Sequence, residues 1–131
     1  MQITYRGDEP DAVKDNISSL ITASTSQSVR IRFSHIVTNI EDFTFEGIQQ
    51  ITALAWDISE ISIIGVAAFS RTGVTTVPEF PRSLTDIDDN AFEGCEALES
   101  LSSFEKTKVR RIGDCSFAET KLEEVVVFRR R

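Results

Sequence analysis

The chain has 131 residues, a formal net charge of -7 at pH 7, 40% hydrophobic residues and 27% charged residues. This length fits a single domain, and the composition is typical of a globular protein with a hydrophobic core. The acidic balance argues against binding along a nucleic-acid backbone, which depends on clustered Lys and Arg side chains.

The first elements in chain order are a predicted helix and a predicted strand. The acidic residues and proline at 8–10 suit the first turn of a helix. Four apolar residues follow at helical spacing: Val13, Ile17, Leu20 and Ile21. Residues 29–33 then alternate apolar and basic side chains, which predicts a strand with one buried face.

The remainder of the chain is repetitive. The pattern apolar-x-x-Ile-x-x-x-x-Phe occurs four times, beginning at Val37, Ile61, Leu84 and Val109. Its isoleucines recur every 23 to 25 residues, and its phenylalanines keep the same spacing: Ile40, Ile64, Ile87, Ile112, and Phe45, Phe69, Phe92, Phe117. Each Phe is followed by an apolar-x-x-apolar segment: Ile51 to Leu54, Val74 to Val77, Leu98 to Leu101, and Leu122 to Val125.

This periodicity predicts an α/β repeat solenoid. A unit of about 24 residues is too small to bury its own apolar edge, so it is stable only when stacked. We expect the apolar-x-x-apolar segments to form a parallel sheet on one face. We expect the Phe segments, followed by Gly47, Gly73 and Gly94 in three units, to form single helical turns on the other face.

The domain organisation follows from the same pattern. Residues 36–131 are predicted to hold four repeats. Residues 1–35 are predicted to form an N-terminal α/β cap, because the open edge of the first coil would otherwise expose its core and its strand groups.

The third unit resembles a known repeat. Residues 84–101 read LTDIDDNAFEGCEALESL, which is similar to the L-x-x-I-x-x-x-A-F-x-x-C-x-x-L-x-x-I repeat of the BspA-like, treponemal-type leucine-rich repeat family. The resemblance extends over about residues 36–128, with Thr44 and Ser116 in place of the Ala before Phe. It implies a leucine-rich-repeat stack and a role in binding proteins, commonly in adhesion to host proteins or other cells.

The side chains between the apolar columns are candidates for a partner-binding sheet face. They are Ala53, Ala55, Thr76, Pro78, Ser100, Ser102, Glu124 and Val126. Trp56 stands where the first unit departs from the pattern, so it is either an interaction anchor or a core residue. Alternatively, all of these residues are ordinary exposed strand positions and do not form a binding face.

The last apolar run predicts an edge strand. Val125, Val126, Val127 and Phe128 are β-prone and are followed only by three arginines. An unpaired apolar strand invites another chain to pair with it, while flanking arginines oppose aggregation. A homodimer through this edge and a truncated longer array are both open interpretations.

The residue types that usually form catalytic or metal sites are not spaced as such sites require. His35 has no second His or nearby Cys as a metal partner. Cys95 and Cys115 lack the C-x-x-C spacing of redox and zinc sites, so both are predicted to be buried free thiols. Residues 86–90 resemble the start of an EF-hand calcium loop, but Ala91 and Ala97 stand where that loop needs Gly and Glu. We expect no catalytic residues, no cofactor and no metal.

The predicted function is therefore a non-catalytic protein-protein interaction module. A structural or self-assembling subunit that uses the C-terminal edge is the alternative. No run approaches the roughly 20 apolar residues of a membrane-spanning helix, and the first residues lack the apolar region of a signal peptide. These features favour a cytoplasmic location, whereas the family resemblance implies a secreted or cell-surface protein.

Overall fold

The computed structural model describes residues 1–23, 28–56, 59–77 and 79–123. Within these ranges the elements are β1 (Gln2–Tyr5), α1 (Pro10–Ala23), β2 (Val29–Phe33), β3 (Asn39–Ile40), β4 (Ile51–Ala55), β5 (Ile63–Ile64), β6 (Thr76–Val77), β7 (Asp86–Ile87), β8 (Ser100–Leu101) and β9 (Arg111–Ile112). Every strand pair among them is parallel. The chain is a stack of coils, as the repeat spacing predicts.

Strands lie on two faces of the stack. One face holds the sheets β1-β2-β4 and β6-β8, and the other holds the sheet β3-β5-β7-β9. The predicted strands at the apolar-x-x-apolar segments are confirmed by β4, β6 and β8. The second sheet, along the Ile40, Ile64, Ile87 and Ile112 column, is not part of the sequence prediction. The expectation of a single sheet opposite a row of helical turns was wrong on this point.

The Phe segments are turns and not helices. The amide of Thr44 donates to the carbonyl of Glu41, three residues back, whereas the amide of Phe45 donates to the carbonyl of Ala68 in the next coil at 2.9 Å. The same alternation recurs at residues 66–71 and 89–94. Because every second amide leaves its own coil, the i to i-4 bonds of a helix cannot form.

Left-handed residues shape these turns. Gly47 and Gly94 have φ of 81° and 74°, which confirms the predicted chain reversals. Gly73 is not left-handed, and Arg71, with φ of 56°, takes the corresponding place. A Cβ at Gly73 would lie 2.2 Å from the carbonyl oxygen of Gln49. Gly73 is therefore needed for a close approach between coils, and the prediction of a reversal there was wrong.

Two aromatic columns run through the core. The rings of Phe45, Phe69, Phe92 and Phe117 stack at centroid distances of 5.3, 5.2 and 5.4 Å. The second column contains Phe33, Trp56, Phe80 and Phe104, at 5.4, 5.6 and 4.8 Å. Offset-stacked rings add to the stabilisation from apolar burial. The second column shows that β2 takes part in the same stack as the repeats.

The N-terminal segment packs against the first coil. Val13 and Ile17 of α1 are buried, and together with Tyr5 and Phe45 they line one small cavity. The Nζ atom of Lys14 lies 3.8 Å from Oε1 of Glu46. The helix therefore lies next to the first Phe turn, where a preceding coil would lie. The capping role of residues 1–35 and the boundary at residue 35 stay predictions.

Candidate functional site

The outward side of β1, β2, β4, β6 and β8, here called the strand face, carries two rows of side chains. Strand register aligns Gln2 with Arg30 and Arg30 with Ala53, and it aligns Thr76 with Ser100. A second row aligns Thr4 with Arg32 and Arg32 with Ala55. The amide of Thr75 donates to the carbonyl of Thr52 at 3.4 Å, which joins β4 to β6. The two sheets thus form one continuous outward side.

The predicted face residues take different positions on this side. Thr76 and Ser100 are exposed, and Ala53, Ala55 and Ser102 are half-buried. Pro78, Glu124 and Val126 lie outside the described residues, as does the predicted self-association edge of Val125, Val126, Val127 and Phe128. The described part of the face has a floor of small side chains and hydroxyl groups.

Two arginines complete the face, and they are not among the residues predicted for it from the sequence. Arg30 and Arg32 lie on β2 directly beside Ala53 and Ala55. The ion pairs among the described residues involve other basic residues and neither of these two. The alternation in residues 29–33 was the feature that could have placed them here, because their apolar neighbours continue the columns of the repeats. The N-terminal end of the strand face is therefore basic.

Trp56 belongs to the core. Its side chain lies between Phe33 and Phe80 in the second aromatic column, and the residue is 4% exposed. The indole N–H donates to the carbonyl of Glu79, so the one polar atom of the side chain is also used within the chain. A ring that is buried by its own chain has little surface left for a partner. The structure favours the core interpretation over the anchor interpretation.

A cleft of about 420 Å³ opens beyond the end of β4. Its lining includes Trp56 and Phe80 on the apolar side and Arg30, Glu79 and Arg82 on the charged side. Glu60 and two serines, Ser59 and Ser83, also line it, so the cleft is as polar as it is apolar. Because Arg30 lines both the cleft and the strand face, the two surfaces are continuous.

The opposite sheet carries a network of ion pairs. Arg111 lies 2.7 Å from Asp88 and 3.3 Å from Asp89, and Arg110 lies 3.6 Å from Asp86. Burial raises the pKa of the Asp88 carboxyl, and this effect together with nearby carboxylates exceeds the lowering by Arg111. Among the described residues, no group of three or more His, Cys, Asp and Glu side chains could hold a metal ion.

The two thiols differ in environment. Cys95 is buried, and its thiol donates to the carbonyl of Phe69 at 3.0 Å. Burial raises the pKa of the Cys95 thiol, which disfavours the reactive thiolate. Both cysteines are free, but Cys115 is exposed, so the prediction of a buried thiol was wrong for Cys115. His35 is an exposed turn residue after β2 and is not among the hydrogen-bond partners of Cys95.

Comparison with known proteins gives a family and no individual relative. No curated protein and no solved structure matches the chain. In the described segments, no helix has both the length and the apolar character needed to cross a bilayer. The family described as BspA type leucine rich repeat region matches residues 16–130, in six copies. Because this match covers most of the sequence and agrees with the stacked coils, the chain belongs to the BspA-type leucine-rich repeat family.

Proposed function

We propose that this chain is a non-catalytic module that binds a protein partner through the strand face. The family is generally one of protein-interaction scaffolds, which supports the class of function. The observation that carries the proposal is the pair of arginines, Arg30 and Arg32, which lie beside small residues on the open side of a parallel sheet and have no ion-pair partner among the described residues.

The shape of the face suits an extended polypeptide. Ala53 and Ala55 project little from the sheet, so a partner backbone can approach closely there. Thr76 and Ser100 are exposed and place hydroxyl groups on the neighbouring strands. Such groups can donate or accept hydrogen bonds and so adapt to a peptide backbone or to polar side chains.

The charge of the face indicates an acidic partner segment. The chain as a whole has a net charge of -7, so a basic patch stands out from its surroundings. Electrostatic complementarity chiefly sets the association rate and the choice of partner. An acidic segment is attracted to Arg30 and Arg32, and the net negative charge of the remaining surface disfavours its binding elsewhere, whereas a basic segment is repelled by these two arginines.

The family also suggests the setting of this binding. BspA-type repeat proteins are often secreted or located at the cell surface, and adhesion is the role most associated with them. We propose that this chain acts in adhesion and that its partner is an acidic segment of a host or neighbouring-cell protein.

A peptide array that varies only in net charge tests this proposal. We expect acidic peptides to bind the chain and the double variant Arg30→Glu with Arg32→Glu to lose that binding. The matched control is Lys106→Glu with Lys121→Glu, which makes the same charge change at exposed residues away from β2. Binding that is equal in the two double variants, or that does not depend on peptide charge, would reject the proposal.

The self-assembling subunit remains the alternative, and it makes a separate prediction. It requires the chain to change from monomer to dimer with increasing concentration in light scattering, and Val126→Lys to stay monomeric. A constant monomer mass for the unmodified chain would remove this alternative.

A further inference from the structure

Arg111 shows how this stack holds a guanidinium group between two coils. Its Nη1 atom lies 2.7 Å from Oδ1 of Asp88, and its Nη2 atom lies 3.3 Å from Oδ1 of Asp89. Both carboxylates belong to the preceding coil, directly after β7. The Oδ1 atom of Asp89 also accepts a hydrogen bond from the backbone amide of Asp114 at 2.8 Å. The second sheet therefore contains one acidic site that is filled by an arginine of the chain itself.

The first two coils repeat the acidic half of this site. Glu41 and Asp42 directly follow β3, at the place that residues 88–89 hold after β7. The backbone amide of Val66 donates to Oδ1 of Asp42 at 2.8 Å, as the equivalent amide does at the filled site. The two pairs of carboxylates are thus set in the same backbone geometry.

Both sites also require a glycine on the neighbouring coil. A Cβ at Gly65 would lie 2.6 Å from Oδ1 of Asp42, and a Cβ at Gly113 would lie 2.3 Å from Oδ1 of Asp89. These distances are shorter than any normal carbon–oxygen contact, so a larger residue at either glycine would displace the carboxylate. The two sites therefore share the carboxylates, the backbone donor and the glycine.

The first site differs from the second in the residue that faces its carboxylates. Strand register gives Ile63 the position in β5 that Arg111 holds in β9. Among the described residues, no Lys or Arg forms an ion pair with Glu41 or Asp42. An open groove of about 300 Å³, here called the acidic groove, lies there. Its lining includes Asn39, Glu41, Asp42, Ile63 and Asp88.

The acidic groove concentrates negative charge. Glu41 and Asp42 are exposed, and Asp88 is half-buried at the side of the groove. Burial raises the pKa of the Asp88 carboxyl, and repulsion from Asp42 raises it further against the lowering by Arg111. The carboxylates on the two sides of the groove are therefore close enough to interact, and a cation bound between them would reduce their repulsion.

A guanidinium group suits this groove better than a metal ion does. Within the described ranges, no group of three or more His, Cys, Asp and Glu side chains could hold a metal ion. A guanidinium is planar and carries five N–H donors, so it can contact two carboxylates at once. Ile63 lines the groove, and Phe43 directly follows Asp42 and is 44% exposed. The apolar stem of an arginine, or an apolar residue next to it, can cover this surface.

We propose that the acidic groove binds an arginine side chain from a basic segment of a partner protein. The guanidinium lies against Glu41 and Asp42 as that of Arg111 lies against the second pair of carboxylates. The apolar stem packs on Ile63, which leaves room where the filled site has its own arginine. The groove lies on the second sheet and not on the strand face, and it selects the opposite charge. Either proposal can therefore fail without the other.

An NMR titration of the full chain tests this proposal. The Val66 amide reports on the groove, because its acceptor is Oδ1 of Asp42. We expect its chemical shift to change saturably with the peptide acetyl-Gly-Leu-Arg-Leu-Gly-amide. The Asp114 amide should move little, because its acceptor Asp89 already lies against Arg111. The same peptide with citrulline, the neutral isostere of arginine, should not bind. No change at Val66, or an equal change with both peptides, would overturn the proposal.

Variants of the full chain locate the binding. Glu41→Gln with Asp42→Asn keeps the shape of both side chains but removes their charge, and it should weaken peptide binding at least about tenfold. The matched control is Glu96→Gln with Glu99→Gln, which removes the same charge at exposed residues outside the groove. Ile63→Arg should fill the groove with a guanidinium of the chain itself and so abolish peptide binding. A dispersed amide spectrum confirms that each variant folds.

The remaining outcomes separate this site from the strand face and from a metal site. Arg30→Glu with Arg32→Glu should leave binding of the arginine peptide intact. Equal binding by the two variants without the acidic pairs, or undiminished binding by folded Ile63→Arg, would overturn the proposal. Displacement of the peptide by an equal concentration of calcium chloride would assign the groove to a metal ion and would also overturn it.

Discussion

At the N-terminal end of the stack, Phe45 lies against Tyr5 beside α1 and is fully buried, whereas at the C-terminal end Phe117 stacks on Phe92 and is partly exposed. The two residues hold the same position in the repeat. The difference in burial therefore comes from the neighbour and not from the coil itself. In a stack of this kind, each unit contributes stability in proportion to what covers it.

The largest expected effect contrasts an interior ring with a terminal one. Phe92→Ala should cost about 3 to 5 kcal/mol, because it leaves a cavity in a fully buried column. Phe117→Ala should cost clearly less, because part of that ring is already exposed. Denaturant unfolding followed by circular dichroism measures both changes. A loss below about 1 kcal/mol for Phe92→Ala, or equal losses for the two variants, would break the stacked-column account.

The next effect tests whether the N-terminal end depends on α1. Ile17→Ala should cost about 2 to 4 kcal/mol, because this side chain is 1% exposed and packs at the first coil. Leu20→Ala on the same helix is the control, since Leu20 is 39% exposed, and it should cost less than about 1 kcal/mol. Similar values for the two variants in thermal unfolding would mean that α1 does not protect the first coil.

The smallest expected effects come from one backbone position, two residues after the repeat Phe, in the first and last coils of the stack. Gly47 in the first coil and Glu119 in the last coil are both left-handed, with φ of 81° and 57°. Gly47→Ala should destabilise the protein by about 1 kcal/mol, although open space surrounds the position, because a Cβ is disfavoured in this conformation. Glu119→Gly should stabilise it by less than about 1 kcal/mol for the same reason. A higher melting temperature for Gly47→Ala, or a lower one for Glu119→Gly, would contradict the turn geometry.

Features that depend on burial could be predicted from the sequence. The Phe45, Phe69, Phe92 and Phe117 column and the strands β4, β6 and β8 follow from apolar spacing, because a repeated apolar position must face a repeated core. The outward positions of Thr76 and Ser100 follow from alternation along the strands. These are the parts of the candidate site that the sequence could locate.

Features that depend on backbone geometry could not be predicted. The strands of the second sheet have two residues each, too few for alternation to appear. Arg71 and Glu119 adopt left-handed conformations without any glycine to indicate them. Trp56 was ambiguous because the first unit departs from the repeat pattern there, and its packing became clear only when β2 placed Phe33 in the same column.

Amide hydrogen exchange measured residue by residue tests the central claim most directly, that backbone hydrogen bonds from one Phe turn to the next join the coils into one stack. The amides of Phe45, Phe69 and Phe92 should exchange at least about 100-fold more slowly than that of Phe117, because only the last has no acceptor in the described chain. Equal exchange rates for all four amides would contradict the assignment of these hydrogen bonds. An unprotected Phe69 amide would contradict the stack itself.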